Sequence, residues 1–224
     1  MVSPCTESNP WITLTQNTAG QLQATPVASP RQGNSLRLED DGIFVPGYVS
    51  QQTRPVGAQD GDLWTYSFDA SPVEWNFVYR TADGGWVWHG GGDLSDEVDV
   101  LGTRAGSASP VYGNLTVGGA GGTGPTVTLP FAGTYVFWFG AEIGAAANGV
   151  FARAALEFGG VAALDADSVL QSNDFISAAV RRMTRTVSAD GTSVVMRYKN
   201  LGGGGGPDAQ FGRRYLAARP LILT

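Results

Sequence analysis

The stretch DGDLWTYSFDASPVEWNFVYRTADGGWVWHGG, residues 60–91, sets eight large rings on alternate positions of three short segments. Trp64, Tyr66 and Phe68 share one parity within residues 62–68, Trp75, Phe77 and Tyr79 within residues 73–80, and Trp86 and Trp88 within residues 85–90. Neighbouring side chains on a strand point to opposite faces, so this spacing predicts an antiparallel meander with one face paved in rings. Ala70-Ser71-Pro72 and Ala82-Asp83-Gly84-Gly85 supply turn residues where the meander must reverse. A unit of this size has no second layer, and eight wet rings would exceed the apolar patch a monomer ordinarily exposes. The ringed face must meet another copy of the chain, the rest of the chain, or a ligand.

Composition points the same way. Thirty-two glycines, twelve prolines and 15% charged residues in 224 describe a turn-rich all-β chain long enough for a real core. Working outward, residues 1–47 are polar and rich in Thr, Gln, Asn and Pro, and read as an extended N-terminal arm. Within it, residues 36–46 predict a hairpin turning at Asp41-Gly42. The acidic triplet Glu39, Asp40 and Asp41 lacks the ligand spacing of a calcium loop. Residues 48–92 form the aromatic meander, and residues 93–109, acidic and then small and polar, read as a linker with at most one helical turn over 94–101. From residue 110 to 224, strand-like runs recur at 111–117, 126–129, 134–143, 150–158, 176–187, 193–199 and 211–223. That spacing predicts a β-sandwich or jelly roll. Parity names its core as Tyr135, Phe137, Phe139 and Ile143, then Val150, Ala152, Ala154, Leu156 and Phe158, then Val194, Met196 and Tyr198. Glu142, Arg153, Glu157, Arg197 and Lys199 fall on the polar outer side.

The formal charge of −6 is uneven: residues 1–107 hold thirteen acidic side chains against five arginines, whereas residues 181–224 hold seven arginines and Lys199 against Asp190 and Asp208. These arginines mostly alternate along strands, as a solvated sheet face requires. The single cysteine, Cys5, excludes an internal disulfide framework, and no metal-ligand spacing surrounds it. The first residues lack a basic patch followed by an apolar core, and no run approaches 18 apolar residues, so neither a secretory signal nor a membrane-spanning helix is expected.

Chemistry is sparse. The one histidine, His89, stands at a strand end with no nucleophile elbow in view, so neither a serine triad nor a zinc site is expected. Asp165 with Asp167, or Glu142 with Glu157, could in principle form a glycosidase pair, but carboxylates on strands and turns are common. The glycine tracts 118–124 and 202–206 lack the Lys-Ser/Thr ending of a phosphate loop. No catalytic, cofactor or metal residue is therefore assigned. Two uses remain for the rings. Trp64, Tyr66, Phe68, Trp75, Phe77, Tyr79, Trp86 and Trp88 are expected as an oligomer interface, and Trp75, Trp86 and Trp88 are the candidate glycan contacts. Single-stranded nucleic acid is disfavoured because its stacking platforms lie in basic grooves, and this region is acidic.

The order of modules resembles virion proteins of tailed phages and prophages of actinobacteria, of the minor tail or tail-fibre type. The resemblance rests on Pro55, on Gln59-Asp60-Gly61-Asp62 leading into a strand, on Trp75-Asn-Phe-Val-Tyr-Arg80, and on a tryptophan strand closing at Gly90-Gly91. It extends to Asp-Gly-Ile-Phe-Val-Pro ending at Pro46, to Leu129-Pro-Phe-Ala-Gly-Thr-Tyr135, which is similar to the strand-opening motif of jelly-roll heads, and to the closing strand over 211–223. What the resemblance implies is a non-enzymatic virion structural protein, made in the host cytoplasm and assembling as a homotrimer. Its arm would bind other virion proteins, and its sandwich would face outward toward host-envelope glycans. The chain is short for a receptor-binding fibre and has no heptad or collagen-like shaft, which raises the alternative of a capsid decoration or head-fibre protein. A carbohydrate-binding module is a further alternative.

Overall fold

A computed structural model describes residues 12–16, 22–26, 37–39, 42–44, 48–69, 72–104, 111–115, 122–145, 152–171, 177–200 and 209–224. In chain order its strands are β1 (Ile12–Gln16), β2 (Leu22–Pro26), β3 (Arg37–Glu39), β4 (Gly42–Phe44), β5 (Tyr48–Ser50), β6 (Leu63–Ser67), β7 (Glu74–Arg80), β8 (Gly85–Gly91) and β9 (Leu94–Val98). Then follow β10 (Gly102–Arg104), β11 (Thr126–Leu129), β12 (Gly133–Ala145), β13 (Ala152–Phe158), β14 (Val169–Gln171), β15 (Ser177–Val187), β16 (Thr192–Asn200) and β17 (Ala209–Leu223). The protein is all-β, as composition and periodicity predict.

Strands β10 to β17 form two facing layers. One runs β10-β17-β12-β15 and the other β11-β16-β13-β14, so the chain changes layer at every connection except β13 to β14. This is a jelly-roll arrangement, two four-stranded antiparallel layers enclosing one core. The parity expectations hold: Tyr135, Phe137, Phe139, Ile143, Ala152, Ala154, Leu156, Phe158, Val194, Met196 and Tyr198 are all buried. Rings from the two layers meet inside, Phe137 on Phe158 at 5.1 Å and Tyr198 on Phe211 at 4.8 Å between centroids. Val150 lies outside the described residues, as do Cys5, Asp40, Asp41, the tract 202–206 and the greater part of the other glycine tract.

The meander over β6, β7 and β8 forms where expected, with Trp64 opposite Phe77, Tyr66 opposite Trp75 and Tyr79 opposite Trp86. Its second reversal is a short 3-10 turn, Thr81–Asp83, closed by Gly84 at φ +68°, whose N–H donates to the Thr81 carbonyl. That backbone conformation favours glycine because a Cβ would clash. Asp60 fixes the same turn by accepting the Thr81 N–H at 2.9 Å.

Two boundaries differ from the sequence reading. The meander is not a separate module: β8 pairs with the end of β17, Trp86 opposite Leu223 and Val87 opposite Ile222, so β8-β7-β6-β5 extends the jelly-roll sheet. Nor do the described residues of the 93–109 segment, 93–104, form a linker with a helical turn. Residues 94–98 and 102–104 are strands β9 and β10, both paired with β17. Three consecutive strand pieces thus share one side of the fifteen-residue β17, with β12 along its other side. The acidic composition of 93–99 hides a period-2 pattern. Leu94 packs against the core, and Asp96 accepts the Thr126 N–H at 2.7 Å.

Smaller differences follow from long-range pairing. In 111–117 the described residues show one bridge, Gly113 to Tyr198, and the three-residue β14 gave no periodic signal. In the arm, β1 pairs with β2, and β3 pairs with β4 with Glu39 opposite Gly42, so the reversal falls just before Gly42. Each is a two-stranded sheet separate from the two larger ones.

Candidate functional site

The eight meander rings are brought together, but the rest of the chain covers them. Trp64, Trp75 and Phe77 are 0% exposed and Trp86 is 3% exposed within one chain, in a single core cluster shared with Leu129, Phe131, Tyr135 and Leu223. Trp64 meets Phe131 edge-on at 5.1 Å, Tyr66 meets it at 4.9 Å, and Trp75 tilts against Tyr135 at 6.3 Å. The two indoles with no exposed surface are satisfied: Trp64 Nε1 donates to the Gln51 carbonyl at 2.9 Å and Trp75 Nε1 to the Gly92 carbonyl at 2.8 Å. The expectation that all eight form an oligomer interface is therefore corrected for these four. Their partner is the 130–132 corner and β12, because β17 draws the meander against the sandwich. Tyr66, Phe68, Tyr79 and Trp88 pack on the same core and keep part of their surface. The glycan expectation is corrected likewise: Trp75 and Trp86 have no face to offer a sugar.

Trp88 has a different setting. It lies where β8 parts from β17, next to a bulge at His89, which is the extra residue between the pairs Phe77–Trp88 and Asn76–Gly90. His89 itself is exposed. The Arg219 guanidinium sits over the Trp88 ring at 4.7 Å and over Trp138 at 5.1 Å, while its Nε holds Asp93 at 2.6 Å. Trp138 is also approached by Arg182, its cross-strand neighbour, at 5.8 Å. The result is a ladder of Trp88, Arg219, Trp138 and Arg182 in which both rings are half-buried and Arg182 is exposed. Trp138 alternates with the core residues Phe137 and Phe139, but nothing local links it to Trp88, fifty residues earlier.

The other polar clusters tie neighbouring strands together, and one of them bridges the two layers. Asp165, in the 3-10 turn Asp165–Asp167, receives the Lys199 ammonium at 2.9 Å on both oxygens and Arg153 at 3.5 Å. The Lys199 hydrogen bonds hold its carboxyl below the usual range. Asp167 receives Arg181 at 3.7 Å and Arg185 at 3.6 Å, from the facing layer. Asp165 is therefore not shaped as a general acid, which needs a raised pKa. Glu157 is bound by Arg197 at 2.7 Å and Glu142 by Arg213 at 3.2 Å. Lys199, expected on the polar face, is buried by this network, with its ammonium 5.3 Å from the Tyr112 ring.

Arg214 also departs from the solvated-arginine pattern. Arg213 adopts φ +39° at a register shift in β17, and this turns Arg214 into the core at 0% exposure. Its Nη2 donates to the Val100 carbonyl at 2.8 Å and its Nη1 to the Tyr198 hydroxyl at 3.3 Å. Burial pushes the Tyr198 hydroxyl up to about 12. One open cleft of about 260 Å³ lies between Phe158 and Val161 on one wall and Arg185, Thr186 and Ser188 on the other, with Arg185 4.5 Å above the Phe158 ring. Among the described residues no group of His, Cys, Asp and Glu is placed to hold a metal ion, and no helix is long and apolar enough to cross a membrane.

No protein-family description matches this chain, and no curated protein does. Similar solved structures include Eiger TNF from S. frugiperda, at 10% identity and TM-score 0.38, covering 59% of this chain and 94% of that one. The globular domain of zebrafish complement 1qA protein is 16% identical at TM-score 0.36, covering 59% and 100%. A CBM36-1 domain of a xylanase from the hindgut metagenome of Trinervitermes trinervoides is 13% identical at TM-score 0.32, covering 56% and 96%. At this level the likeness establishes neither family nor function for the chain.

Proposed function

We propose that this chain is a non-enzymatic structural protein of a tailed-phage virion, of the minor tail type. It assembles as a homotrimer, with residues 1–47 attaching it to the particle and the jelly roll directed outward. The observation that carries the reading is the contrast between the arm and the sandwich. β1-β2 and β3-β4 are hairpins outside the large sheets, and an isolated two-stranded hairpin is at best marginally stable in water. Such segments become ordered on a partner surface, which is what an attachment arm does. Within the sandwich, the carboxylates that could have served hydrolysis are bound to Lys199, Arg153, Arg181, Arg185, Arg197 and Arg213. That arrangement favours a scaffold over an enzyme. Contact with host-envelope glycans, a finer part of the reading, has the Phe158–Arg185 cleft as its concave surface.

Antibody-labelled protein on intact particles, viewed by electron microscopy, tests the assignment. Label confined to the tail end supports it. Label over the capsid shifts it to a decoration or head-fibre protein, and the absence of label from purified particles defeats it.

A further inference from the structure

We infer that copies of this chain join through two unlike margins of the jelly-roll sheet, the basic β15 margin of one copy packing against the acidic β9 margin of the next. The inference rests on the homotrimer reading above and adds the surface that makes it. In the described residues β15 pairs only with β12, and β9 only with β17. Each therefore leaves one row of strand backbone groups unused by the sheet, the feature that invites association unless it is managed.

The charges at these margins are of opposite sign. β15 carries Arg181, Arg182 and Arg185 and no acid. The β9 segment, 93–99, carries Asp93, Asp96, Glu97 and Asp99 and no base. Internal pairing does not cancel either excess. Arg181 and Arg185 share the single carboxylate of Asp167, while Arg182 lies exposed against Trp138. On the other side Arg219 answers Asp93, Arg213 answers Asp99 from 3.8 Å, Asp96 binds a backbone N–H, and Glu97 stands exposed.

Each margin also offers apolar surface: Val180 on β15 is 61% exposed, and Val100 and Leu101, just beyond β9, are about half exposed. A two-fold contact of either margin with itself would oppose like charges, which is costly at an interface. A head-to-tail contact matches opposite charges, and such heterologous contacts generate rings when the rotation closes. Three copies close the ring in the trimeric reading.

The test is light scattering on the full chain at low and high salt, with Arg182→Glu, Glu97→Arg and the two combined. Both positions are exposed, and circular dichroism verifies that each variant is folded. The expected result is a trimer for the parent chain, monomer mass for each single variant, recovery of the trimer in the combined variant, and weakening of the parent by salt. Single variants that remain trimeric overturn the inference while leaving the trimer reading standing. A folded combined variant that stays monomeric also overturns it. A parent chain that is monomeric at all salts defeats both.

Discussion

The buried rings of the meander and the half-buried pair Trp88 and Trp138 are all aromatic and lie in adjoining parts of one sheet, yet they do different work. Trp64, Trp75, Phe77 and Trp86 are surrounded by other rings and aliphatic chains, and lose essentially all their surface. Trp88 and Trp138 are joined by Arg219, whose guanidinium spends its hydrogen bond on Asp93 and its faces on indole. A ring next to rings has nothing to hold water near it. Arg219 is itself partly exposed, so the two rings beside it keep a charged, hydrated neighbour and part of their own surface. An aromatic row therefore does not by itself signal recognition; the neighbours across the sheet decide.

This contrast predicts a graded response to substitution. The largest loss is expected from Trp64→Ala, about 3–5 kcal/mol by denaturant unfolding, because a fully buried indole leaves a cavity among Phe77, Trp86 and Phe131. A loss below about 1 kcal/mol would show that the meander is not part of the core. An intermediate effect concerns the buried hydroxyl of Tyr198. Its folded pKa is raised from 10.0 to about 12 by burial, so the unfolded chain ionises first. Its contribution is present in full below pH 10 and is lost as pH rises toward 12, on the order of 2 kcal/mol. Tyr198→Phe should flatten the alkaline limb of the stability profile, and an unchanged limb would indicate that the hydroxyl is not buried. The smallest effect belongs to the ladder: Arg219→Gln should cost about 1 kcal/mol, since it removes two partly exposed cation–π contacts and one ion pair. A cost equal to that of Trp64→Ala would erase the distinction between core and half-buried rings.

Much of the fold was legible in the sequence. The meander segments, the jelly-roll core positions in β12, β13 and β16, and the Gly84 turn follow from period-2 alternation and turn chemistry, which are local. The errors fell where a distant strand decides. Residues 93–99 read as a linker because four acids outnumber two apolar residues there, yet β17 recruits β9 and Asp96 satisfies the Thr126 N–H of the other layer. Lys199 and Arg214 looked solvated by position, and both are buried: one is drawn to Asp165 and the other is turned inward by a bulge at Arg213. The site reading fared less well, because Trp88 and Trp138 become neighbours only when β17 places Arg219 between them.

The sequence by itself determined that the chain is all-β, that eight rings share one face of a meander, and that this face could not remain wet. Those conclusions need only side-chain alternation and the cost of exposed apolar surface. Only the tertiary structure decided what covers the face. Burial is a property of two surfaces meeting, and the second surface, the Phe131 corner with Tyr135, lies more than forty residues along the chain from the last ring. Alternation says which side of a strand a residue faces, and only the strand pairing says what stands opposite.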